Sequence, residues 1–340
     1  MWDSRCWRAS TLFSALTGKP RLHFFQAGDL VTDAGLARFH EFPMFKNWQG
    51  GEVRYSLLSP NADPTFLWLN LKATFTDAGL ARLAGLDGLF ALSLFGFRNE
   101  TGGVTPAGLS ALADLPNLGW LGCTGQLCDD TSMQQIAALP RLRMLMCQDA
   151  QATDAGFAAL SRSASIEHIW GRNCRKLTRA GFEALSTMPL LRGLAVSCTN
   201  LDDQALSALP KFPALREIVP IQVPDDGFRH IGRCEQLEAL WCMYCQDTGD
   251  VATELISGLR HLKTYYAGRT RITDRSLEIL SGIDALERVE LWNCPRITDA
   301  GLPFLAKLPH LREVKLQNMP AVTLEGAAVF PPSIHVDYSP

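Results

Sequence analysis

Apolar and polar residues alternate over short stretches of this chain, and each such stretch gives way to a helical spacing. In Leu286-Glu-Arg-Val-Glu-Leu-Trp-Asn-Cys294, the apolar Leu286, Val289 and Leu291 are set among polar residues, as in a strand with one buried face. Leu302, Leu305 and Leu308 then follow at helical intervals, and Pro309 closes the segment. The joint between strand and helix is the phrase Thr-Asp-Ala-Gly-Leu. Aligned on it, the chain forms a ladder: Thr32, Thr76, Thr105, Asp129, Thr153, Thr178, Asp202, a position near Pro224, one near Thr248, then Thr273, Thr298 and Thr323. From Thr105 onward the rungs are 22 to 25 residues apart. One unit reads as strand, turn, helix and return, repeated about eleven or twelve times and ending near Phe330. A unit this short cannot bury its own apolar face, so successive coils must stack on a shared core.

The phrase suits the start of a helix. Thr298 offers a side-chain oxygen to free backbone N–H groups, and Asp299 stands at the positive end of the helix dipole. Pro106 fits the same place because the first helical residue has no N–H bond to lose. The acid pairs Asp129-Asp130, Asp202-Asp203 and Asp225-Asp226 fall at this point of their units and are read as caps rather than catalytic pairs. Gly35, Gly79, Gly108, Gly156, Gly181 and Gly301 recur in the first helical turn, where glycine costs about 1 kcal/mol relative to alanine. Close packing between neighbouring coils is the expected return.

Ile166 to Cys174, Leu191 to Cys198, Leu237 to Cys245 and Leu286 to Cys294, each followed by a segment like Thr-Asp-Ala-Gly-Leu, resemble the cysteine-containing class of leucine-rich repeat. That class occurs in F-box substrate receptors and in bacterial proteins. The resemblance covers roughly residues 65 to 330. It implies an α/β fold, a right-handed leucine-rich-repeat solenoid (a horseshoe) with a parallel concave sheet and outer helices. Residues 1–19 then read as an N-terminal leader or cap, 20–64 as a divergent first repeat with a capping insertion, 65–330 as the repeats and 331–340 as a closing strand or tail. No F-box domain is read in residues 1 to 20.

In such repeats the residues between the buried leucines face the hollow. Five tryptophans fall at those positions: Trp68, Trp120, Trp170, Trp241 and Trp292, with Phe95, Tyr266, Met144, Met146 and Met243 beside them. His168, Arg172, Arg288 and Glu290 share the same face. A solvent-facing aromatic stripe with arginine nearby is the composition of a binding hot spot. The expected function is a non-enzymatic module that binds a protein or peptide on this face. A substrate receptor resembling the F-box type or a bacterial effector is the alternative, and an enzyme site assembled across coils is a third. A segment folded over the hollow, or a one-residue slip of register, would instead turn the rings into core.

The remaining composition narrows the chemistry. Lys plus Arg number 32 against 35 Asp plus Glu, a net charge of −3, which gives no basis for phosphate-backbone binding, so nucleic acid is not expected. No apolar run reaches the length of a membrane span, no signal peptide is read at Met1, and ten cysteines in a chain with an ample core read as reduced thiols in the cytoplasm. Cys242-Met-Tyr-Cys245 alone has metal or redox spacing, but each thiol also holds a repeat position: Cys242 the inward strand place of Cys123 and Cys147, Cys245 the turn place of Cys174, Cys198 and Cys294. Packing explains both. The seven histidines form no HExxH, and neither a nucleophile elbow nor a phosphate loop is present. No cofactor, metal or catalytic residue is expected.

Overall fold

The computed structural model describes residues 24–27, 31–46, 53–57, 67–71, 75–95, 103–197, 201–243 and 245–340; of Phe24, Ala27, Leu67 and Met243 only the backbone is described. The expected leader, residues 1–19, lies outside this set. The chain divides into two compact units, Met1–Leu191 and Arg192–Pro340. In the first, β1 (Phe24–Ala27), β2 (Leu67–Leu71), β3 (Leu89–Ser93), β4 (Trp120–Thr124), β5 (Met144–Gln148) and β6 (His168–Arg172) pair in chain order, all parallel. In the second, β7 (Gly193–Ser197), β8 (Glu217–Ile221), β9 (Ala239–Met243), β10 (Thr264–Gly268), β11 (Arg288–Trp292), β12 (Glu313–Gln317) and β13 (His335–Ser339) do the same. Short helices such as Asp154–Leu160 and Asp274–Leu280 return the chain between strands.

The phase read from alternation is the observed one. Leu121, Cys123, Leu145, Cys147 and Ile169 are fully buried in the first unit, as are Leu240, Cys242, Tyr265, Ala267, Val289, Leu291, Val314 and Leu316 in the second. They meet the inner sides of the helices, where Phe157, Leu160, Leu277 and Leu280 are equally buried. Each such leucine contributes roughly 1.5 to 3 kcal/mol by leaving water. Around β1, Phe25, Phe39, Phe42 and Phe45 form an edge-to-face cluster, with Phe25 and Phe39 centred 5.1 Å apart and Phe39 and Phe45 5.4 Å apart.

The threonine caps do more than start helices. The aspartate after each cap reaches the cap of the next coil: Asp33 accepts from the Thr76 N–H and hydroxyl, both at 2.7 Å. The same two bonds join Asp77 to Thr105, Asp130 to Thr153 and Asp154 to Thr178 in the first unit. In the second they join Asp250 to Thr273, Asp274 to Thr298 and Asp299 to Thr323. The carboxylate fills the space that a side chain at the next coil's glycine would need. A Cβ at Gly79, Gly108, Gly156, Gly181, Gly301 or Gly326 would run into Asp33, Asp77, Asp130, Asp154, Asp274 or Asp299 respectively. Glycine in the first turn is therefore the counterpart of aspartate one coil earlier.

Departures from the ladder follow the same logic. Ser276 replaces the glycine and turns the contact into a hydrogen bond, its hydroxyl 2.6 Å from Asp250. Burial opposes the charge on Asp250, but donors from Ser276 and Thr273 outweigh it and hold the carboxyl below its usual range. Pro106 stands in the aspartate position, and the next cap is itself an acid, Asp129, which accepts from its own Ser132 N–H at 2.7 Å; no carboxylate there meets another. Pro224 has no N–H to give Asp203, whose carboxylate instead takes His230 Nε2 at 2.8 Å and Arg229. In this coil the acid serving the next cap is Asp225, and that cap is Gly249 rather than Thr248, at 2.9 Å. The third acid pair thus sits one residue later in register than expected, leaving Asp226 exposed.

Helix propensity alone makes Gly156→Ala favourable by about 1 kcal/mol. The expected outcome is opposite: a loss of about 2 kcal/mol, because the methyl group displaces Asp130 from two charge-assisted bonds to Thr153. In an Asp130→Ala background the part of the penalty due to the carboxylate should vanish, leaving the closer packing against Ala152 and the Asp130 backbone. Chemical denaturation of the four proteins of this cycle measures the coupling, and equal costs in both backgrounds would break the proposed link.

Candidate partner-binding face

On the helix-free face of the first unit, register aligns Trp68, Ala91, Trp120, Met144 and His168 in one row. Trp68 and Trp120 lie 4.7 Å apart, and Phe95 meets Trp120 edge-on at 6.2 Å. The Trp120 ring leans over Gly122, where a Cβ would strike both it and Phe95. Trp120 is consequently 0% exposed, and His168, beside the fully buried Met144, is 3% exposed. Trp120, Met144 and His168 depart from the expectation of a solvent-facing stripe: they lie on the expected face but are packed into it. β3 is buried along its whole length, on both faces. Trp68, Phe95, Met146 and Trp170 are half-buried, and Arg172 is exposed.

The second unit presents a more open patch. Trp241 and Tyr266 are register partners on adjacent strands, their rings 5.0 Å apart and tilted by 33°. Both are half-buried, as are Glu290 and Trp292, while Arg288 is exposed. The Met243 side chain lies outside the described residues. Beside the rings, Arg288 pairs with Glu313 at 2.7 Å and Lys315 with Glu290 at 3.3 Å. Exposed pairs of this kind add about 0 to 1 kcal/mol, so their effect is to fix the charge pattern more than to hold the fold. Arg269 lies over the Trp292 ring, 5.1 Å from its centroid.

Residues just after the strands carry a signal that alternation does not. Asp149, Asn173, Gln222, Arg269, Asn293 and Asn318 all have positive φ, between 49° and 61°. In this conformation Asp149 donates its N–H to Arg172 O, Arg269 to Trp292 O and Asn293 to Gln317 O, each at 2.9 Å. Asn and Asp enter the left-handed region easily; for other side chains it costs roughly 1 to 2 kcal/mol. Three of these six residues are Asn and one is Asp, against which Arg269 and Gln222 stand out.

The thiols are placed for packing. Cys242 is 0% exposed on β9, and Cys245 donates its thiol to Pro220 O at 2.7 Å. Burial pushes both up from the usual thiol range, opposite to what a redox or metal thiolate needs. Cys128 and Cys123 approach to 2.9 Å, and burial raises Cys128 as well. Burial, opposed by the Arg233 charge, pushes Cys234 up to about 12. Among the described residues no three His, Cys, Asp or Glu side chains are grouped to hold a metal ion, and no helix is long and apolar enough to cross a membrane.

No family model and no curated protein matches the sequence. Solved structures do match in fold. Rad7 from yeast, in its complex with Elc1, is 15% identical with a TM-score of 0.50, spanning 96% of this chain and 86% of that one. An internalin of Listeria monocytogenes, InlF, is 20% identical with a TM-score of 0.46, spanning 85% and 77%. Parallel strands in chain order with helical returns agree with that likeness. The chain has a leucine-rich-repeat fold. The cysteine-containing class and the F-box resemblance are not confirmed by these neighbours. TLR13, in complex with ssRNA13, is also similar, at 16% identity and a TM-score of 0.47 over 74% of this chain and 39% of that one. The comparisons do not support the exclusion of nucleic acid drawn from net charge.

Proposed function

We propose that this leucine-rich-repeat protein is a non-enzymatic interaction module whose second unit binds a partner protein or peptide across Trp241, Tyr266 and Trp292, with Arg288 and Glu290 supplying polar selectivity. The observation that carries this reading is the half-exposed Trp241–Tyr266 pair on the helix-free face. Large rigid rings left partly in water beside arginine have the character of binding hot spots. The buried, neutral thiols give no support to the enzyme alternative. A substrate-receptor role would add an adaptor-binding surface to this reading; the likeness to Rad7 concerns the fold.

Panning a random-peptide library against the full chain supplies ligands with which to test it. Trp241→Ala should weaken the selected peptides by about 2 kcal/mol or more. Stability should fall by no more than about 1 kcal/mol, since the ring is only partly enclosed. A large drop in melting temperature with unchanged peptide affinity would return Trp241 to the core and end the proposal.

A further inference from the structure

The turn itself does not call for a charge at Arg269. Its N–H bonds Trp292 O as any residue's would, and its left-handed φ of 56° suits the Asn or Asp found at four other turns of this kind. The guanidinium is exposed, rests on Trp292 and forms no ion pair among the described residues. Arg288 and Lys315, by contrast, are each held by Glu313 and Glu290. Trp241 Nε1 is also buried and donates to nothing among the described residues. Between β9 and β12 the Glu290 and Glu313 carboxylates are therefore already spent on cations, and the charged group left unpaired beside the rings among the described residues, Arg269, is a cation. Asp337 on β13 lies beyond this patch.

We propose that the occupant is an extended peptide segment bearing a carboxylate. Its Asp or Glu lies on Arg269 in a charge-assisted pair, and its apolar neighbours lie across the partly exposed rings of Trp241 and Tyr266. The two strand spacings from β9 to β11 amount to roughly 10 Å, the reach of about three extended residues, so one short segment covers both features. Strain accepted at a turn and a cation left unpaired beside aromatic rings are together the mark of a residue kept for a ligand. This inference rests on the reading that this face binds a partner.

The same random-peptide library, panned against the full chain, tests it. Recovered sequences should share an Asp or Glu, and the strongest synthetic peptide should bind R269N about tenfold more weakly than wild type. Its Glu→Gln or Asp→Asn twin should lose a similar factor on wild type and little more on R269N. R269N should melt no lower than wild type, because asparagine suits the left-handed turn. Peptides that bind R269N unchanged but are weakened by Trp241→Ala would overturn the carboxylate inference and leave the aromatic face standing. Peptides insensitive to both variants, or no binding clones at all, would overturn both. R269N melting several degrees lower with peptide affinity intact would make the arginine a support for Trp292 and likewise overturn the inference.

Discussion

Truncating Trp120 to alanine should cost about 3 to 5 kcal/mol of folding stability, the range for a fully enclosed aromatic ring. The ring is 0% exposed, lies 4.7 Å from Trp68 and 6.2 Å from Phe95, and occupies the space above Gly122. Its removal leaves a void that these rings cannot fill without leaving their own positions, because the strand register fixes their backbones. Thermal and chemical denaturation of Trp120→Ala beside Trp241→Ala separates the two kinds of tryptophan on the same type of face. Similar small losses for both would mean that the first-unit cluster is surface; similar large losses would mean that the second-unit pair is core.

This contrast marks where the sequence was readable and where it was not. Alternation within a strand placed Val289 and Leu291 inward and Arg288, Glu290 and Trp292 on the other face, because side-chain direction depends only on neighbours along the chain. It placed Trp120 and Trp241 each on the helix-free side of its own strand, yet could not tell that one is sealed and the other half-open. That difference depends on Trp68 and Phe95 in the first case and on Tyr266 in the second, contributed by other strands. The recurring aspartate and glycine were visible as a pattern, but their shared cause was hidden because it joins adjacent coils. The one-residue shift at Pro224 was hidden for the same reason: only Asp225 bonded to Gly249 shows which acid belongs to the ladder. Arg269 was overlooked because its significance lies in backbone conformation, which the hydrophobic pattern does not encode.

Replacing Leu291 by aspartate should cost at least about 4 kcal/mol, as much as the loss expected for the enclosed Trp120. Leu291 is 1% exposed on β11, between Ala267 on β10 and Leu316 on β12, so an aspartate there must either remain protonated or pull the strand away from the core. Among the described residues no lysine or arginine is buried, and the neighbouring inward positions, Val289, Cys294 and Ile297, are apolar and buried. Because each coil rests mainly on the coils before and after it, damage should be greatest at the substitution and fade along the stack. Amide hydrogen exchange on Leu291→Asp should show protection lost first in β10 to β12, while β2 to β5 of the first unit keep theirs. Glu290→Ala, one residue away on the opposite face, should leave exchange in the same strands almost unchanged. Loss of protection throughout the chain for Leu291→Asp would show that stability is shared globally and that the coils do not act as a nearest-neighbour stack.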